Sequence, residues 1–133
     1  LHKEYRRQRQ MCIRDSWMYL PPKDVEEYLK NKPQKPFLEC EYMHDMGNSD
    51  GGMGSYIKLL DQYPQYLGGF IWDFIDQALL VHDPVSGQEV LRYGGDFDDR
   101  HSDYEFSGDG LMFADRTPKP AMQEVKYYYG LHK

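Results

Sequence analysis

Cysteine is scarce in this chain of 133 residues: Cys12 and Cys40 are the only two. They supply neither a disulfide framework nor a metal-ligand spacing. No apolar run approaches the roughly 18 residues that a membrane-spanning helix needs, and nothing resembles a secretory leader, so a cytoplasmic setting is the expectation. The body of the chain has no basic run, and a net charge of −6 argues against a nucleic-acid partner. A glycine-rich phosphate loop is also missing, which speaks against a nucleotide-binding sheet.

What is present fits one soluble globular domain with a sizeable core, at 40% hydrophobic and 29% charged residues. Aromatic side chains are plentiful, with 12 Tyr, 6 Phe and 2 Trp. Such enrichment suits a sugar site, where ring faces stack on apolar C–H patches, and equally an ordinary core. Charge is unevenly placed: residues 1–16 carry +3, which leaves −9 for the remainder. Within that stretch "MCIRDS" resembles the translated frame of an adapter used in DNA library preparation. Residues 1–16 are therefore expected to be an added, disordered tail, and residues 17–133 the domain proper.

From Trp17 onward apolar runs and helical patterns alternate. "PPKDVEEYLKN" predicts a helix, with proline at its start, acids in its first turn and Val25, Tyr28 and Leu29 on one face. "KPFLECEY" predicts a strand between proline and a Gly/Asn turn. "GGMGSYIKLLDQYP" predicts a second helix, with Met53, Tyr56, Ile57 and Leu60 at helical spacing, and "GGFIWDF" another strand. "IDQALLV" fits a turn of helix or a short strand. Residues 82–109 read mainly as loop, with "EVLRY" a possible strand, and "PKPAMQEVKYYYGL" predicts a last helix with Ala121, Val125 and Tyr128 or Tyr129 inward. The order β-α-β-α-β-loop-α is that of a parallel α/β fold, best matched by part of a (β/α) barrel. Such barrels work at the loops that follow their strands.

Glu41 falls at one strand end, and Trp72 and Asp73 at another. Period-two alternation along "PFLECEY" puts Phe37, Glu39 and Glu41 on one face. Two acids on one inner face raise each other's pKa unless a cation or donor intervenes. They are candidates for catalysis, or for ion pairs with a Lys or Arg of a neighbouring strand. His44 past the strand end is a candidate catalytic group, although a hydrogen-bonded structural histidine is the commoner outcome. Trp72 is a core residue or a stacking platform. The acidic "GGDFDDRHSDYEF" lacks the glycine and the spacing of an EF-hand and reads as a solvated loop facing substrate.

"CEYMHDMGNSDGG", "QYPQYLGGFIWDFIDQAL", "RYGGDF" and "DGLMFADRTPKPAMQEVK" together closely resemble glycoside hydrolase family 2, in the C-terminal part of its catalytic TIM barrel. The resemblance covers essentially everything from Trp17 on. It implies an α/β fold holding about the last three strands and helices of a (β/α)8 barrel, which is incomplete. It implies hydrolysis of terminal β-D-galactose residues by a retaining double displacement, with β-glucuronidase or β-mannosidase activity, or a non-catalytic sugar- or cation-binding module, as alternatives. By position, Glu41 matches the nucleophile and Tyr19 the tyrosine that hydrogen-bonds it. His44 matches the histidine that holds galactosyl hydroxyls, and Trp72 the apolar wall of the site.

The Phe106 carbonyl and the Asp109 side chain fall where the family binds sodium. A lactose-splitting member has asparagine in place of Asp109 and an apolar residue in place of Glu39. The family also uses magnesium, held by earlier barrel strands that this sequence lacks. Its acid/base glutamate stands in an N-E motif, and no N-E dipeptide occurs here. The expectation is a fragment that carries the nucleophile and is inactive alone, from a homo-oligomeric parent with no nucleic-acid or membrane partner.

Overall fold

A computed structural model describes residues 14–46, 51–99 and 102–131. Residues 1–13, most of the expected tail, and residues 47–50, where a turn is expected, lie outside the described residues. The chain divides into two compact units, one of Leu1–Met43 with Gly52–Ile71, the other of His44–Gly51 with Trp72–Lys133.

The first unit is a parallel βαβαβ layer. Strands β1 (Asp15–Met18), β2 (Phe37–Tyr42) and β3 (Tyr66–Ile71) lie in the order β1-β2-β3, every pair parallel. β1 starts two residues ahead of the expected domain boundary. The Asp15 amide donates to the Pro36 carbonyl, and its carboxylate accepts the Tyr28 hydroxyl, so Asp15 and Ser16 belong to the sheet.

Helix α1 (Pro22–Lys30) begins at proline, where the missing N–H costs nothing, and places Asp24 at its positive end and Lys30 at its negative end. Helix α2 (Met53–Gln62) follows Gly52 and stops before Pro64. The core lies between helices and sheet: Val25 and Leu29 of α1, Leu59 of α2, Phe37 of β2 and Tyr66 of β3. Phe37 and Tyr66 stack with ring centres 5.9 Å apart. Burying each such side chain contributes about 2 kcal/mol. Met18, Leu67 and Phe70 are exposed. Parallel strands are normally covered on both faces, and the sheet does not close into a barrel among the described residues.

The alternation expected along β2 breaks. From Glu39 to Tyr42 the strand advances three residues while β3 advances two, Gly69 to Ile71, and β1 shifts register at Met18 opposite Glu41. An extra residue in a strand reverses the phase of everything after it. Phe37, Glu39 and Tyr42 are buried, while Cys40 is exposed and Glu41 half-buried. The two carboxylates therefore do not share the face that simple alternation assigns them.

The second unit is held by loops and a hairpin. Strands β4 (Leu79–His82) and β5 (Glu89–Arg92) pair antiparallel, which turns "IDQALLV" and "EVLRY" into one hairpin. A 3-10 turn spans Tyr104–Ser107, and helix α3 (Ala121–Leu131) buries Ala121 and Val125 as expected. Lys119 is buried, with its Nζ 2.8 Å from Asp76 Oδ1 and 2.9 Å from the Gly108 carbonyl. Gly110 packs so close that a Cβ would lie 2.2 Å from the Asp76 nitrogen.

Candidate active site

Tyr19 and Glu41 meet in the first unit, at the C-terminal ends of neighbouring strands. The Tyr19 amide donates to the Glu41 carbonyl at 2.8 Å, one step past β1. Tyr19 (φ 52°) and Met43 (φ 55°), the residues directly after β1 and β2, both have left-handed backbones. That conformation costs a residue with a Cβ roughly 1–2 kcal/mol and turns the chain sharply as it leaves each strand.

Glu39 lies on the helix side of the sheet. It is fully buried, its Oε2 accepts the Tyr66 hydroxyl at 2.8 Å, and its Oε1 lacks a hydrogen-bond partner. Burial pushes its carboxyl up to about 7, against the opposing pull of the Tyr66 hydroxyl and the Leu20 amide. Of the two readings open for this acid, an ion pair with a strand cation is not the one observed: its partner is a phenol.

His44, Trp72, Phe106 and Asp109 come together in the second unit. His44 Nε2 is 3.2 Å from Asp109 Oδ2. The edge of its ring faces Phe106, with centres 6.0 Å apart. Asp109 is buried, and burial raises its carboxyl above the ordinary range. The His44 imidazole, the Trp72 indole N–H and the Lys119 ammonium favour its charged form, and Asp73 opposes them.

The backbone ties the same pieces together. The Asp45 amide donates to the Trp72 carbonyl at 3.3 Å, Asp73 to the Asp109 carbonyl at 2.8 Å, and Leu111 to the Asp73 carbonyl at 3.0 Å. The peptide bond between Trp72 and Asp73 is cis. Trp72 keeps 38% of its surface exposed, so it is a platform candidate rather than a core residue.

Asp109 Oδ1 is buried and lacks a hydrogen-bond partner. An orphaned carboxylate oxygen suits a hard cation such as sodium. No group of three or more His, Cys, Asp or Glu among the described residues is arranged to hold a metal, and none of the described helices is long and apolar enough to cross a membrane.

The amino-acid order singles out neither Tyr66 nor Lys119, and it marks Asp109 as a sodium ligand without linking it to His44. The first two carry no local signal, because a polar group buried with its partner reads the same as an exposed one.

A parallel sheet with crossover helices and sharp turns directly after β1 and β2 defines the class: a segment of a (β/α) barrel. The chain belongs to the glycosyl hydrolases family 2, matching the TIM barrel domain of that family over residues 5–133. It is similar to the beta-galactosidase large subunits of Lactobacillus acidophilus (87% identical) and Lactobacillus helveticus (88%), each over 119 residues that make 90% of this chain. A beta-galactosidase of Clostridium acetobutylicum is 58% identical over 115 residues, which make 86% of this chain and 13% of that protein. The chain spans about a fifth of the length of the large subunits, at 19%.

Proposed function

We propose that the whole protein removes terminal non-reducing β-D-galactose from β-galactosides by a retaining double displacement, and that this chain carries the nucleophile, Glu41. One observation carries the reading. β2 brings Glu41 to the C-terminal end of a parallel sheet, where the Tyr19 amide donates to the Glu41 backbone carbonyl at 2.8 Å, on the rim where barrel enzymes do their chemistry. The relatives named beta-galactosidase support the choice of sugar.

Retention needs a second carboxyl about 5–5.5 Å from the first, supplied by a part of the whole protein outside these residues. In the first step the Glu41 carboxylate attacks the anomeric carbon, and the bond to the leaving oxygen breaks. That oxygen takes its proton from the second carboxyl, leaving a covalent galactosyl-enzyme. In the second step the same group, now a base, takes a proton from water. The water displaces Glu41 and releases galactose with its original configuration.

Glu41 attacks as its carboxylate, and the Tyr19 phenol, from the neighbouring strand end, is the donor assigned to hold that carboxylate. His44, its Nε2 turned to Asp109, holds galactosyl hydroxyls in a fixed orientation. The exposed face of Trp72 stacks on the apolar face of the sugar. Asp109 Oδ1 and the Phe106 carbonyl are the groups here that would hold sodium, which would supply a positive charge for the sugar's 6-hydroxyl. Magnesium has no ligand set among the described residues.

Labelling tests the reading. An activated 2-fluoro galactoside should leave a covalent adduct on the Glu41 peptide of the full-length protein and none in Glu41→Gln. An adduct on a different carboxylate would sink it.

A further inference from the structure

Glu39 is an acid where an apolar side chain would fill the space more cheaply, since a buried carboxyl oxygen without a partner costs free energy. It lies in the layer between sheet and helices, fully buried, two residues before Glu41 and at the start of the bulge. Its bond to the Tyr66 hydroxyl, 2.8 Å, crosses from β2 to β3. The sheet makes room for it: a Cβ at Gly69 would lie 3.0 Å from the Glu39 Cβ and 3.1 Å from its carbonyl oxygen.

The groups that face this acid are phenols and an amide. Tyr66 comes from β3, and Tyr42 of β2 and Tyr56 of α2 act on Tyr66 in turn. The Leu20 amide approaches from the segment after β1. Tyr28 of α1, which packs on Phe37, gives its hydroxyl to Asp15. No Lys, Arg or His among the described residues forms an ion pair with Glu39. Loss of its proton to solvent therefore leaves a buried anion with only the Tyr66 hydroxyl and the Leu20 amide as donors and no countercharge, which favours water entry and separation of the strands.

We propose that Glu39 is a positioning residue for Glu41: its bond to Tyr66 pins β2 to β3 at the base of the bulge, and the pin loosens when Glu39 ionises. The inference rests on Glu41 as nucleophile. It adds a pH limb to the reaction that neither the nucleophile nor the acid/base group supplies.

The test uses the full-length protein that carries this segment. Wild-type kcat should fall as pH rises through the ionisation of Glu39. Glu39→Gln keeps an acceptor for Tyr66 and cannot ionise, so it should lose that limb. Tyr66→Phe should lower kcat about tenfold with KM changed by less than about twofold, the mark of a displaced catalytic group rather than a lost binding contact. Independently, infrared spectra at about pH 6 should contain a buried protonated-carboxyl band that Glu39→Gln lacks.

Superimposable pH profiles of wild type and Glu39→Gln, full kcat in Tyr66→Phe, or absence of the band would each overturn the proposal. So would variants that lose stability alone. Should Tyr66→Phe fail to fold, the Glu39→Gln profile and the band decide. Labelling of wild-type Glu41 keeps the two readings apart: no adduct sinks both, whereas an adduct with an unchanged Glu39→Gln profile sinks this one only.

Discussion

The imidazole of His44 and the carboxylate of Asp109 meet at 3.2 Å, with the carboxylate buried and the imidazole half-exposed. The buried member fixes the orientation of the exposed one, which is the geometry of a ligand-holding side chain kept in place from behind. The indole N–H of Trp72 favours the charge on the same carboxylate, so one acid interacts with both groups proposed to face the sugar.

Replacing Asp109 should therefore weaken sugar binding through two neighbours together. Asp109→Asn keeps an acceptor and should cost less than Asp109→Leu, which should lower kcat/KM about tenfold or more by freeing His44. Steady-state kinetics on a chromogenic galactoside checks the order. Equal kinetics for Asp109→Leu and wild type would mean that His44 is held by other contacts.

Glu39 should give the folded protein a distinctive pH dependence. Its carboxyl is raised from 4.5 to about 7 on folding. Between those values the unfolded chain has released the proton and the folded chain retains it. The folded state then binds more protons, so stability falls as pH rises across that window, by about 3 kcal/mol in total, and this contribution levels off above it. Glu39→Gln should flatten the slope and raise stability at pH 8. Urea midpoints of both proteins at several pH values measure it, and a steeper slope in the variant would contradict the sign.

Gly69 and Gly110 should both resist alanine, to different degrees. The Cβ of Gly69→Ala would meet the Tyr42 ring at 2.9 Å, the Glu39 Cβ at 3.0 Å and the Glu39 carbonyl oxygen at 3.1 Å, contacts that need a shift of a few tenths of an ångström, at a cost of about 1–3 kcal/mol. Gly110→Ala would meet the backbone of Ile75 and Asp76 within 2.6 Å, and backbone cannot move aside. Thermal midpoints should fall further for Gly110→Ala.

Lys119 should behave as a structural cation. Lys119→Met leaves the Asp76 carboxylate without its ammonium partner, which should cost about 3–5 kcal/mol. Asp76→Asn in the same chain should recover part of that loss, because a neutral amide needs no countercharge. A double-mutant cycle of unfolding free energies checks the coupling, and strict additivity would show that the pair contributes nothing.

The fold was largely legible in the amino-acid order. The prolines at 21, 22 and 64 and the spacing of Val25, Leu29, Met53 and Ile57 are local signals, and the helices appear where those signals put them. β3 runs Tyr66–Ile71 rather than over "GGFIWDF", because its boundary depends on pairing with β2 rather than on its own residues. The family motifs also picked out His44, Trp72, Phe106 and Asp109, which the fold gathers in one unit.

By itself the sequence determined the alternation of helices and parallel strands, the family and the residue types at the strand ends, since each is written in local spacing and identity. Only the tertiary structure decided that Glu39 and Glu41 part company at a bulge, that Tyr66 rather than a cation meets Glu39, and that Asp109 backs His44. Those outcomes depend on which distant segments lie within hydrogen-bond reach and on a one-residue offset between strands. Periodicity along a single segment has no access to either.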